Sequence, residues 1–83
     1  FDNTKNQNLI INSGCLKPLI YLLQDKNLDQ REKAAGVLSS LTYKNKQNKT
    51  VVANLFKRKK RKLKSCLKKI KKNWVNSLLE MCD

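Results

Sequence analysis

Eighty-three residues make at most one small domain, which buries little surface and is marginal without a staple or a partner. Three cysteines without a C-x-x-C spacing, and no histidine, exclude a complete disulfide framework and an ordinary zinc site; Cys15, Cys66 and Cys82 read as small core residues in a reducing, intracellular setting. The net charge of +13 is uneven, with eight Lys/Arg against four Asp/Glu in residues 1–54 and eleven against two in residues 55–83, so an anionic partner is sought for the last third.

No run approaches the roughly 18 apolar residues of a membrane span, the longest being Leu19 to Leu23. Phe1-Asp2-Asn3-Thr4 has neither the charged nor the apolar part of a secretory signal. The chain has no initiator Met and opens inside a helical pattern, and it reads as a segment of a longer protein.

Thr4 or Asn6 caps a first helix that runs to about Ser13, with Leu9, Ile10 and Ile11 as its inward residues. Gly14 stops it, being free to take positive φ. Cys15 to Gln24 forms a second helix, in which Leu16, Leu19, Ile20 and Leu23 recur at steps of three and four. Pro18 sits in its first turn, where the missing N–H breaks no helical bond. Asp25-Lys26-Asn27 is a turn. A third helix runs from Leu28 or Asp29 to about Thr42, with Asp29 and Glu32 at the spacing of a capping box. Ala34, Ala35, Leu38 and Leu41 form its buried face, and Tyr43 to Gln47 is a polar connection.

The pattern then restarts. Asn48-Lys49-Thr50-Val51-Val52-Ala53-Asn54 echoes Asn6-Gln7-Asn8-Leu9-Ile10-Ile11-Asn12 at an offset of 42 residues. At that offset Gly14 maps to Phe56, and Leu16 and Leu19 map to Arg58 and Arg61, so basic residues overwrite the next middle helix. A second order replaces it: Phe56, Leu63 and Ile70 lie seven apart, as do Leu67, Trp74 and Met81. This is an amphipathic helix, or two, with lysine on the other faces. No glycine or proline interrupts residues 37–83, and the spacing allows one long helix from about Val51 into the seventies. Like charges at i,i+4 in Lys57 to Lys64 weaken its first part.

The glycine-hinged pair N-Q-N-L-I-I-N-S-G and C-L-K-P-L-I-Y-L-L, the A-A-G-V-L-S-S-L that follows, and the 42-residue echo together resemble the armadillo repeat family. The resemblance covers roughly residues 4–54. It implies an all-α, armadillo-like α-solenoid fragment: a three-helix repeat with the first helix of the next at 4–54, then a basic amphipathic helical segment at 55–83. Such units stack on neighbouring repeats and present a surface for binding. The family's third helices line a groove for extended peptides or partner proteins, which makes Arg31, Lys33, Ser39, Ser40 and Tyr43 the candidate partner-binding residues. In the nuclear-import branch of the family a Trp follows the Ala-Ala pair and an Asn lies four residues later, clamping lysine-rich peptides. The matching positions here are Gly36 and Ser40, so that clamp is missing from this repeat.

Lys57, Arg58, Lys59, Lys60, Arg61 and Lys62 are six consecutive cations that repel one another. Four readings stay open for this run: a solvated charge run, a localisation or acidic-protein contact, a membrane-surface or calmodulin-type helix, and nucleic acid. An acidic protein, an import receptor or anionic lipid at residues 57–72 fits the amphipathic pattern. Nucleic acid is disfavoured, because only Phe56 adjoins the run and stacking platforms need aromatics. Trp74, on the apolar stripe with Leu67, Ile70 and Leu78, is the candidate apolar anchor. Catalysis finds no support: no histidine moves protons near neutral pH, and no acid of Asp2, Asp25, Asp29, Glu32, Glu80 and Asp83 pairs with another on an apolar face. The only glycines are Gly14 and Gly36, so no glycine-rich loop cradles a phosphate. The expected function is a non-catalytic protein–protein interaction scaffold, without cofactor or metal, in the cytoplasm or nucleus. The alternative is a basic amphipathic module at residues 55–83.

Overall fold

A computed structural model describes residues 4–83. Residues 1–3, where the sequence shows no signal region, lie outside the described residues. Helix α1 (Thr4–Asn12) ends before Gly14, whose φ is +89°. Nothing lies within 4 Å of where a Cβ would stand there, so backbone conformation rather than space demands glycine. Helix α2 (Leu16–Leu22) follows, with Pro18 in its first turn. Helix α3 (Leu28–Thr42) is capped by Asn27, whose Oδ1 accepts from the N–H groups of Asp29 at 2.8 Å and Gln30 at 3.4 Å. The expected Asp29–Glu32 box does not form. The helix starts at Leu28 with its cap two residues before Asp29, which leaves Asp29 as a carboxylate in the first turn, favourably placed against the helix dipole. Helix α4 (Lys46–Phe56) is capped by Asn45, whose Oδ1 accepts from the Asn48 N–H at 3.0 Å.

The long helix suggested by the spacing is divided. A 3₁₀ turn at Lys57–Lys59 leads into α5 (Lys60–Lys68), and after an irregular stretch α6 (Val75–Met81) begins. Lys59, at φ −131° and ψ 39°, breaks the helical path within the cation run, where like charges oppose a continuous helix. The second break folds α6 back against α3, α4 and α5. It buries Val75, Leu78 and Met81, each burial stabilising by roughly 1.5–3 kcal/mol. The helical hydrogen bonds given up at the break are each worth only about 0.5–1.5 kcal/mol, so burial wins.

One apolar cluster joins all of this. Leu23, Leu38, Val52, Phe56, Leu63, Leu67 and Leu78 are fully buried within it. Ala34, Ala35 and Leu41 fill the inward face of α3 as their spacing indicates. Helix α3 packs on α1 and α2, and α6 packs in the same way on α4 and α5. The two triplets meet through α3 against α6, α4 and α5, and through α1 against α4. Basic residues therefore do not abolish the second middle helix. α5 turns Leu63 and Leu67 inward and keeps its cations outside.

On α1 the phase differs from expectation: Ile11 is buried, whereas Leu9 is 61% and Ile10 45% exposed. Polar partners set that phase. The Gln7 Nε2 donates to the carbonyl oxygens of Ser40 at 2.8 Å and Tyr43 at 2.9 Å, closing the C-terminus of α3. The buried Asn45 Nδ2 donates to Gln7 Oε1 at 3.1 Å and Asn8 Oδ1 at 3.0 Å. Ile11 lies three and four residues beyond these two and shares their inward side, while Leu9 and Ile10 rotate away. Asn48, also buried, donates to the Leu41 carbonyl at 2.8 Å. This polar knot ties α1, α3 and α4 together.

Candidate functional site

The five candidate residues on and beside α3 do not form one patch. Lys33 and Ser40, both exposed, stand two turns apart on one outward stripe with the exposed Val37 between them. The half-buried Ser39 and the exposed Tyr43 lie on the next stripe, and the Lys44 ammonium sits 5.4 Å from the Tyr43 ring centre. Arg31 stands apart. Its Nε donates to the Asp25 carbonyl and braces the turn between α2 and α3.

Trp74 reaches the edge of the same helix. Its Cη2 lies 3.9 Å from where a Cβ on Gly36 would be, and the side chain is 38% exposed. One turn earlier, Lys72 Nζ stands 3.7 Å from Glu32 Oε1. The irregular stretch before α6 thus crosses beside α3 with one ion pair and one ring. Leu67, Ile70 and Leu78, the companions of Trp74 on the sequence stripe, lie in the core instead. In the sequence Gly36 reads only as the empty clamp position and Glu32 only as half of a capping box, and neither is tied to the stretch before α6. The usable signal was a bare glycine on an otherwise filled helix face, which is room for an aromatic ring from elsewhere.

Lys57 to Lys62 all point to solvent. Of the eleven cations in residues 55–83, two stand in ion pairs among the described residues: Lys64 with Asp83 at 2.6 Å, and Lys72 with Glu32. The hydrogen bond to Asp83 raises the Lys64 pKa above the ordinary lysine value, and the same bond lowers Asp83 below the usual carboxylate range. Burial pushes the Cys82 thiol up. Beside the run lies a shallow dish of about 590 Å³ lined by Arg61, Lys64, Ser65, Lys68, Lys69 and Lys71. Most of it falls after the six-residue run, and the spacing Arg61, Lys64, Ser65, Lys68 (steps of three, one and three) marks one helix face that a reading of charge alone overlooks.

Among the described residues no group of three or more His, Cys, Asp or Glu could hold a metal ion, and no helix is long and apolar enough to cross a membrane. Two three-helix units stacked third helix on third helix define a helical-repeat protein, a class whose outer faces serve as binding surfaces. Residues 3–43 match the family model of the armadillo/beta-catenin-like repeat. That match makes residues 3–43 an armadillo-type repeat, consistent with a fragment of the armadillo repeat family, whose helical-repeat architecture suggests a protein-interaction scaffold. No curated protein and no solved structure matches it.

Proposed function

We propose that this chain is a non-catalytic interaction scaffold in which the outward stripe of α3 receives a protein partner. Residues 4–54 supply the partner-facing repeat and residues 55–83 a basic segment. The observation that carries the reading is the stripe itself: Val37 stays exposed between Lys33 and Ser40 on the longest described helix, and the exposed Tyr43 adjoins it on the next stripe, just past the helix end. Exposed apolar side chains rimmed by polar ones are how binding surfaces present themselves. A photo-crosslinking residue at position 40 is expected to capture a protein partner, and the Val37→Glu, Tyr43→Ala double variant is expected to lose that capture. Capture that survives the double variant, or that occurs only from a crosslinker at position 65 on α5, would refute it.

The second reading, a basic module for anionic membrane, an acidic protein or an import receptor, is favoured by the nine cations of residues 55–83 that stand in no ion pair among the described residues. It works only electrostatically. Leu63, Leu67 and Ile70 lie in the core, so α5 has no apolar face to insert into a bilayer or a peptide groove while the protein stays folded. An intracellular setting, cytoplasm or nucleus, suits either reading and suits three free thiols.

A further inference from the structure

We infer that the dish on the outer side of α5 binds a compact molecule bearing clustered phosphate groups, either free in solution or as a lipid headgroup. This site is separate from the stripe of α3. Arg61, Lys64, Ser65 and Lys68 share one face of α5, and the helix ends after Lys68. Ile70 is buried, which pins the chain just past the helix and holds Lys69 and Lys71 outward on either side of it. Two stretches of backbone thus bring five cations and one hydroxyl around a single depression. Asp83 offsets only Lys64; Arg61, Lys68, Lys69 and Lys71 stand in no ion pair among the described residues.

The surface chemistry selects the ligand. Guanidinium and ammonium groups with a hydroxyl match phosphate oxygens, through charge-assisted hydrogen bonds about twice as strong as neutral ones. No aromatic side chain lines the dish, and Trp74 packs beside Gly36 instead, so there is no platform for single-stranded nucleic acid bases. No apolar side chain lines it either, so a partner helix has no anchor there. Convergence of the cations on one depression suits a small ligand with several phosphates and not an extended polyanion, which the exposed run Lys57 to Lys62 would serve equally well.

The test titrates the full chain with inositol hexakisphosphate at about 0.15 M salt, using two variants that remove the same charge. One is Arg61→Gln, Lys68→Gln, Lys69→Gln in the dish; the other is Lys57→Gln, Arg58→Gln, Lys59→Gln in the run. The dish variant is expected to lose at least about tenfold in affinity and the run variant less than about threefold, as befits local contacts and not net charge. Amide shifts of the unaltered protein are expected to move at residues 61–71 and not at residues 57–59. Equal losses in the two variants, shifts spread along the whole run, or no binding would overturn the inference. So would tighter binding of a single-stranded oligonucleotide or a polyglutamate peptide than of the inositol phosphate. Vesicles of phosphatidylcholine with phosphatidylinositol bisphosphate distinguish the sources: binding to them above binding to the free compound assigns the headgroup, and the reverse assigns the soluble ligand.

Discussion

In residues 4–43 the central packing helix, α3, has 15 residues and fills its inward positions with Ala34, Ala35, Leu38 and Leu41. Its counterpart in the second triplet, α6, has seven residues and buries Val75, Leu78 and Met81. A short helix with larger side chains does the work of a long one with alanines, because Phe56 and Leu67 bring further volume from the flanking helices. The outer faces diverge much further. The second triplet carries the cation run and the dish, while the first is nearly balanced in charge. Inward volume sets the order of helices, and the solvent side is free to change its charge without disturbing that order.

The comparison breaks most sharply at Phe56, fully buried at the end of α4. Phe56→Ala is expected to cost about 3–5 kcal/mol. If both triplets form one cooperative unit, denaturant unfolding stays a single transition at lower midpoint; early loss of amide protection in α5 and α6 alone would show two. Leu38→Ala, on the other side, is expected to cost about 2–5 kcal/mol by the same reasoning. A cost under about 0.5 kcal/mol in thermal unfolding would place Leu38 outside the shared core.

Smaller effects sharpen the tie between the triplets. Asn45→Ala removes the cap of α4 and the links to Gln7 and Asn8. A loss of about 1–3 kcal/mol is expected, with faster hydrogen exchange in α1 before any change in α6. Gly14→Ala meets no neighbour but must hold φ near +89°, so about 1–2 kcal/mol is expected from calorimetry. The smallest effect is that of pH. Asp83, lowered by Lys64, adds stability above the ordinary carboxylate value that disappears as pH falls through its own lowered pKa. Lys64, raised by Asp83, adds stability below the ordinary lysine value that is lost as pH climbs through its raised pKa. Both groups are exposed, so the acid limb is expected to flatten slightly in Lys64→Gln and to shrink with salt.

Much of the first triplet was readable because its signals are local. Gly14, the Ala34 to Leu41 face and Pro18 each act within a turn of themselves. The phase of α1 was not, since it depends on Asn45, 37 and 38 residues away from its two partners. The end of α5 was hidden for another reason. The helical period runs unbroken from Leu63 to Trp74, with no glycine or proline, and only the volume waiting against α3 decides that the chain turns back. The dish went unseen for the same cause, as Lys69 and Lys71 join it only once that turn exists. The candidates on and beside α3 follow from the family's groove-lining third helix and expected exposure, which together do not separate Arg31, engaged with the Asp25 carbonyl, from the open stripe of Lys33 and Ser40.

Trp74 is the single tryptophan of the chain, and it rests where the second triplet touches Gly36 of the first. The molecule therefore contains its own optical gauge. Emission from that indole reports whether the two triplets remain in register, without any label. A methyl group at position 36 would meet the ring at ordinary contact distance, 3.9 Å, whereas a branched side chain would lift it into water and shift its colour to the red.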